Sequence, residues 1–195
     1  MKKLLLILLA AIFVAGCSDN GEDTNSEPSE NEGTSETETE DENTETENEK
    51  KAIYQIGETA DITSDVYGFP YQVTVNSFEL TTESVDGLSL EDLNYSAEEG
   101  ARFAVANVTI KNTGDSSFVP QDKISAQLFL ENEYDLPSED DTFKERYEEL
   151  APGDEITGNL VYTDSYFYEN EVVYLTYEAE AIDDETKFEL PIQEE

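Results

Sequence analysis

The residues that could do chemistry are few in kind. The chain of 195 residues contains 48 Asp and Glu, a single Cys, Cys17, and no His. Without His, the sequence excludes an imidazole base, a Ser-His-Asp or Cys-His arrangement, and a His-bound zinc, copper or iron site. The one thiol has no partner for an intramolecular disulfide, although a thiolate is a strong nucleophile. Carboxylates and Cys17 are therefore the groups to consider.

One acidic segment could bind calcium, a hard cation that takes oxygen ligands. Four carboxylates of the segment NEYDLPSEDDTF are weak calcium candidates: Asp135, Glu139, Asp140 and Asp141. The segment lacks the Asp-x-Asp-x-Asp-Gly order and the terminal Glu of an EF-hand loop. We therefore favour a solvated acidic loop over a metal site, and we expect no cofactor.

Paired carboxylates also act as acid and base in glycoside hydrolases. With 48 acidic residues, however, any two can be paired by choice, and the pattern has almost no specificity. No Lys after residue 51 stands in the Ser-x-x-Lys pattern of a Ser-Lys hydrolase. We expect no catalytic residue and no enzyme activity. The alternative, a carboxylate-dependent hydrolase of cell-wall polysaccharide, requires a cleft with two carboxyl groups roughly 5 to 9 Å apart.

Four neighbouring aromatic residues suggest a carbohydrate-binding surface: Tyr162, Tyr166, Phe167 and Tyr168. In a β-sandwich such residues more often pack in the core and against the loops. The chain has no Trp, which makes a platform for stacking on sugar rings less favourable. We therefore favour the packing role.

The chain begins with the pattern of a secretory signal. Its first residues, MKKLLLILLAAIFVAGC, have a basic start, an apolar run from Leu4 to Ala15, and small residues before Cys17. The run is shorter than the roughly 20 residues that span a bilayer. Residues 14–17, VAGC, resemble the lipobox of bacterial lipoproteins. That resemblance implies cleavage before Cys17, attachment of diacylglycerol to its thiolate and, in many organisms, acylation of the new amino terminus. The alternative is an ordinary secretory signal with a chance Cys at its end.

An acidic, low-complexity segment follows at residues 18–51. It has 14 Asp and Glu against 2 Lys and no apolar residue larger than Pro, so burial cannot offset the entropy cost of ordering it. We predict a disordered tether that its own charge extends. The alternative is that the acidic run itself binds a cation or a basic partner. The predicted organisation is a signal peptide at 1–16, the lipidated Cys with its tether at 17–51, and one folded domain at 52–195.

Short apolar runs with period-two alternation predict strands in this domain. The apolar face shifts by one residue within YQVTVNSFEL, which indicates a bulge near Asn76 or Ser77. A similar shift in ARFAVANVTIKNTGD, from Val105 to Val108, predicts a second irregularity. The segment EVVYLTYEAEA is apolar on both faces, as in a central strand, and the acidic insert at 137–149 could form one helical turn. Six or seven strands without a long helix predict an antiparallel β-sandwich.

Two segments are similar to a known family. The succession EGARFAVANVTIKNTGDSSF, then LAPGDEITGNLVYTD, then a two-faced strand and a short last strand resembles the immunoglobulin-like domain of bacterial lipoproteins known as domain of unknown function 4352. The resemblance spans roughly residues 57–192. It implies a membrane-anchored immunoglobulin-like module of Gram-positive bacteria, without established catalytic residues.

The charge of the domain limits the classes of partner that it can bind. After residue 51 the chain has 34 acidic and 6 basic residues, a net charge of −28. Such a surface repels nucleic acids and anionic lipid headgroups. We predict a lipid-anchored protein on the extracytoplasmic face of the cell membrane, with a binding or structural module. Its expected partners are membrane lipid, through acylated Cys17, and an unidentified envelope protein or polymer, but no nucleic acid. Calcium- or cation-dependent envelope binding is the alternative.

Overall fold

The structure is a computed structural model that describes residues 51, 53–131, 134–139, 142–181 and 185–193. The described residues form nine strands: β1 Ile53–Tyr54, β2 Thr59–Thr63, β3 Pro70–Thr81, β4 Arg102–Asn112, β5 Ala126–Phe129, β6 Asp135–Pro137, β7 Glu155–Asp164, β8 Val172–Tyr177 and β9 Thr186–Pro191. They also form one short helix, α1, and four 3-10 turns: α1 Pro120–Lys123, and the turns Glu91–Leu93, Ala97–Glu99, Lys144–Tyr147 and Phe167–Glu169.

The strands form two sheets with a shared core between them. One sheet has the order β1-β9-β8-β5-β6 and the other β2-β3-β4-β7. Neighbouring strands are antiparallel, except that β1 pairs in parallel with β9. The predicted all-β, immunoglobulin-like sandwich is confirmed, and β8 is an internal strand, as its two apolar faces indicated. Three strands lie outside the apolar runs that predicted strands: β1, β2 and β6. With two and three residues, β1 and β6 are too short to show an alternation.

Aromatic side chains are the largest members of the core. Tyr71, Tyr162 and Tyr177 are fully buried. A hydrogen bond offsets the desolvation of a buried tyrosine hydroxyl; Tyr71 and Tyr162 each make one, whereas the Tyr177 hydroxyl has no partner among the described residues. The Tyr162 hydroxyl donates to the carbonyl oxygen of Ala126 at 3.1 Å, which joins β7 of one sheet to β5 of the other. The hydroxyl of Tyr71 donates instead to a carboxylate at one end of the sandwich, which belongs to the candidate site below.

The predicted bulge in β3 is confirmed, whereas the predicted irregularity in β4 is wrong. The pairing of β3 with β4 shifts between Val75 and Ser77, so Asn76 is the extra residue. In contrast, β4 pairs with β7 without any shift over its length. Phe103 and Val105 simply face away from the main core. They form a second apolar cluster, in which the buried members are Leu90, Ala101, Phe103, Val105 and Val161. Since both faces of β4 are buried at this end, apolar residues occur at both odd and even positions.

The segment between β6 and β7 covers the edge of β7. The amide of Glu139 donates to the carbonyl oxygen of Val161 at 2.7 Å, and Phe143 is fully buried against Gly158. A Cβ at Gly158 would lie 2.2 Å from the Phe143 ring, so this edge of the core requires Gly. The helical turn that the sequence predicted within 137–149 is the 3-10 turn Lys144–Tyr147. No helix in the described part of the chain is both long and apolar enough to cross a membrane.

Candidate functional site

A pocket of about 300 Å³ lies at one end of the sandwich, where the β2–β3 turn, α1 and the end of β8 meet. We call it the Glu178 pocket. Its lining is formed by residues 64–67, 121–125, 127 and 178–181. Small-ligand sites typically measure about 300 to 1,000 Å³, so the Glu178 pocket can hold one side-chain-sized group.

Glu178 follows β8 directly and has an unusual backbone conformation. Its φ of 52° is in the left-handed region, which costs a residue with a Cβ roughly 1 to 2 kcal/mol and which Glu adopts rarely. The chain turns here, since the amide of Ala181 donates to the Glu178 carbonyl oxygen at 3.0 Å. Only 9% of Glu178 is exposed. The turn therefore directs an acidic side chain into the protein rather than into water.

Two neutral donors hold the Glu178 carboxylate. Its Oε1 accepts a hydrogen bond from the Tyr71 hydroxyl at 2.9 Å, and its Oε2 accepts one from the Asp65 amide at 3.1 Å. These bonds connect the end of β8 to β3 and to the β2–β3 turn. Burial, and then the charge of Glu178, raise the pKa of Tyr71 above its usual value. The Tyr71 hydroxyl therefore stays protonated and continues to donate to Glu178.

The rim of the Glu178 pocket combines an aromatic ring with charged groups. Tyr67, which is 51% exposed, lies beneath the Lys123 ammonium, with Nζ 3.7 Å from the ring centre. The side chains of Asp65, Asp122 and Glu180 also line the pocket. Within the described ranges, no ion pair involves Glu178. The arrangement is thus a buried carboxylate with hydrogen bonds but without a cation, next to a ring that already contacts one.

The rim ring is held from behind by further aromatic contacts. The centres of the Tyr67 and Phe69 rings are 6.4 Å apart, and those of Phe69 and Phe118 are 4.2 Å apart. The amide of Tyr67 donates to the Ser64 hydroxyl at 3.3 Å. These contacts fix the β2–β3 turn, so the ring of Tyr67 is a preformed part of the pocket.

The carboxylates predicted as calcium candidates lie elsewhere. Asp135 is an exposed residue of β6, and Glu139 accepts a hydrogen bond from the Thr163 hydroxyl at 3.1 Å. Asp140 and Asp141 lie outside the described residues. The described residues contain no group of three or more His, Cys, Asp or Glu that could hold a metal ion. A calcium site that includes Asp140 and Asp141 stays a prediction.

The other predicted site residues divide in the same way. Cys17 and residues 18–50 of the acidic tether lie outside the described residues. Tyr162 and Phe167 are core residues, whereas Tyr166 is 62% exposed. Tyr166 lines a separate open cavity with Tyr134. The packing role that we favoured therefore fits Tyr162 and Phe167, the two buried residues among the four aromatics.

Nothing in the sequence alone points to Glu178. Within YEAEA it is one of two acidic residues that flank alanines. If the strand continued, alternation would place Glu178 on the face opposite to that of Tyr177. The strand ends at Tyr177, and the left-handed turn at Glu178 rotates the carboxylate toward Tyr71. A signal for this turn would have been Gly or Asn, the residues that commonly adopt it, and neither is present.

Comparisons with known proteins give a family and several similar folds. The family model described as Domain of unknown function (DUF4352) matches residues 67–178. An uncharacterized β-sandwich protein from Clostridium difficile is similar in structure, with a TM-score of 0.46, 18% identity, and coverage of 72% of this chain and 96% of its own. The secreted protein MPT63 from Mycobacterium tuberculosis gives a TM-score of 0.47 and 12% identity, and the match covers 71% of this chain and 95% of MPT63. A search of curated protein sequences gives no match.

Proposed function

Since this chain belongs to the Domain of unknown function (DUF4352) family, whose name states no activity, we propose its function from its own residues. We propose that it is a lipid-anchored protein on the extracytoplasmic face of the cell membrane, and that its domain binds an envelope partner in the Glu178 pocket. In this proposal the domain is not a catalyst. The partner is a protein or polymer of the envelope.

The proposed location is supported by the first 51 residues. A basic start, an apolar run and the sequence VAGC precede a polar, acidic segment, which is the order of a lipoprotein signal followed by a spacer. Two acyl chains on Cys17 would anchor the protein stably, whereas a single chain gives only marginal binding. The acidic tether would then separate the domain from the membrane.

The proposed binding role is supported by one observation above all. Glu178 is buried in the pocket in a left-handed conformation, and its charge is met by neutral donors only. Strained residues and unpaired buried charges lower stability, and strained residues are concentrated at functional sites. A structural role would be fulfilled at lower cost by a neutral side chain with the same hydrogen bonds.

Cys17→Ser tests the anchor. We expect the native protein to fractionate with membranes and to incorporate a fatty-acid label, and the Cys17→Ser variant to lose the label and leave the membrane fraction. The reason is that a hydroxyl does not replace the thiolate that accepts the lipid. Ser18→Ala, at the next position, is the matched control and should behave as the native chain. Membrane retention and labelling of Cys17→Ser would refute the proposed anchor.

Crosslinking in living cells tests the binding role. Val66, 75% exposed, lies on the rim of the Glu178 pocket, whereas Tyr147, 48% exposed, lies outside it. We expect a photoreactive residue at Val66 to yield a discrete product with an envelope component, and the same residue at Tyr147 to yield none of that product. No product at Val66, or identical products at both positions, would contradict binding at this pocket.

A further inference from the structure

Among the described residues no cation lies within ion-pair distance of Glu178, although Lys123 lines the same pocket. A carboxylate offers about four lone-pair sites to donors, and Tyr71 and Asp65 occupy two of them. Both donors are neutral, so each stabilises the carboxylate without cancelling its charge. A cation that entered the pocket would meet both unused acceptor capacity and an unpaired negative charge.

The rim of the pocket already contains an ammonium group, that of Lys123. The Lys123 ammonium lies over the Tyr67 ring at 3.7 Å, within the distance at which a ring face attracts a cation. Lys123 and Tyr67 both line the pocket. The protein itself therefore shows that an alkyl ammonium fits at this ring, in the pocket that Glu178 also lines.

A metal ion fits the pocket less well than an organic cation. Calcium takes six to eight oxygen ligands, and the part of the chain that the structure describes has no cluster of three acidic residues suited to a metal. An alkyl ammonium needs only a few acceptors and an apolar wall for its methylene groups. Apolar residues are among those that line the pocket: Val66, Ile124 and Ala181.

We propose that the Glu178 pocket binds the alkyl ammonium group of its ligand, with the ammonium at the Glu178 carboxylate and its methylene groups against the Tyr67 ring. This inference rests on the proposed binding function and specifies the chemistry of its ligand. A lysine side chain of an envelope protein and an amine of an envelope polymer share this group. Lys123 acts as an internal competitor that occupies the ring when no ligand is bound.

The test uses a minimal probe, acetyl-lysine methylamide, and its neutral counterpart, acetyl-norleucine methylamide. Each is titrated into the full-length lipidated protein in non-ionic detergent, and the amide signal of Asp65 is followed by NMR, because that amide donates to Glu178. We expect a saturable shift with the lysine probe and none with the norleucine probe at equal concentration. Glucosamine stands for the amine of a polymer; because its ammonium is on a ring carbon and has no methylene chain to lie on the Tyr67 ring, we expect it to bind more weakly than the lysine probe.

Three variants locate the binding. Glu178→Gln keeps the size of the side chain and removes its charge, so we expect at least a tenfold loss of affinity for the lysine probe. Lys123→Met removes the competitor, so we expect a gain of at least twofold. Glu155→Gln removes one exposed charge from β7, outside the Glu178 pocket, and should change the affinity by less than twofold.

Several results would overturn the proposal. One is an equal loss with Glu178→Gln and Glu155→Gln, which would mean attraction to the acidic surface as a whole. Another is equal binding of the norleucine probe. If Glu178→Gln does not fold, an unchanged or weaker affinity of Lys123→Met refutes the proposal on its own. If the lysine probe fails while the Val66 crosslink forms, the ammonium ligand is wrong and the binding function stands.

Discussion

Two polar regions of this domain differ in the partners that their side chains have. On the outer face of the four-stranded sheet, the side chains of Asn76, Asn107, Asn159 and Asp86 form what we call the amide ladder. Asn76 Nδ2 donates to Asn107 Oδ1 at 2.9 Å, Asn107 Nδ2 to Asn159 Oδ1 at 2.8 Å, and Asn159 Nδ2 to Asp86 Oδ2 at 3.0 Å. Each member is the partner of the next, whereas Glu178 is left with its charge unpaired.

The backbone differs between the regions as well. Asp86 and Glu178 both have a positive φ, of 50° and 52°. Asp adopts the left-handed region several times more readily than most residues, so Asp86 at a turn needs no further explanation. Glu has no such preference, and Glu178 is buried where Asp86 is exposed. Polarity and a positive φ therefore do not distinguish a site from a solvated surface, but the burial of a charge without a cation partner does.

The largest expected effect concerns the three buried tyrosines, one of which donates a hydrogen bond to Glu178. Burial raises the pKa values of Tyr71, Tyr162 and Tyr177 above their usual value of about 10. Above about pH 10 these tyrosines lose their protons in the unfolded chain but keep them in the folded protein. The free energy of unfolding therefore falls as pH rises. We expect a decline of up to about 4 kcal/mol per pH unit, roughly 1.4 for each tyrosine. Urea unfolding between pH 9 and 11.5 measures it.

Tyr71→Phe makes that measurement more specific, because it removes the buried hydroxyl that donates to Glu178. The decline with pH should become about one third less steep, since two tyrosines remain. A ladder variant should keep the full slope. A free energy of unfolding that stays constant above pH 10 in the native chain would contradict the assignment of three buried, protonated tyrosines.

A smaller effect is expected in the ladder. Asn107→Ala removes an acceptor of Asn76 and a donor to Asn159, and at this half-exposed position two lost hydrogen bonds cost about 1 to 2 kcal/mol. Urea unfolding at neutral pH measures the loss. The affinity for the lysine probe should stay within twofold of the native value. A ladder variant with native stability and weakened probe binding would reverse the roles assigned to the two regions.

Much of the fold could be predicted from the sequence, and little of the candidate site. The bulge at Asn76 and the central position of β8 follow from alternation, which depends on neighbouring residues along the strand. The register of β4 was mispredicted, because the cluster around Phe103 forms with residues distant in sequence. The close contact between Gly158 and Phe143 likewise joins residues that are distant in sequence.

Glu178 shows why the candidate site was not predicted. Its two hydrogen-bond partners, Asp65 and Tyr71, lie more than 100 residues earlier in the chain. The turn that buries it uses a residue type without a preference for that conformation. The family resemblance was confirmed by the match to residues 67–178, yet a family without an assigned activity directs attention to no particular side chain.

The central claim is that the Glu178 pocket binds a cation while the amide ladder only stabilises the fold. Its most direct test is the affinity for acetyl-lysine methylamide, measured through the Asp65 amide signal, in Glu178→Gln and Asn107→Ala side by side. We predict at least a tenfold loss in Glu178→Gln and less than a twofold change in Asn107→Ala. Equal affinities in the two variants would contradict the claim.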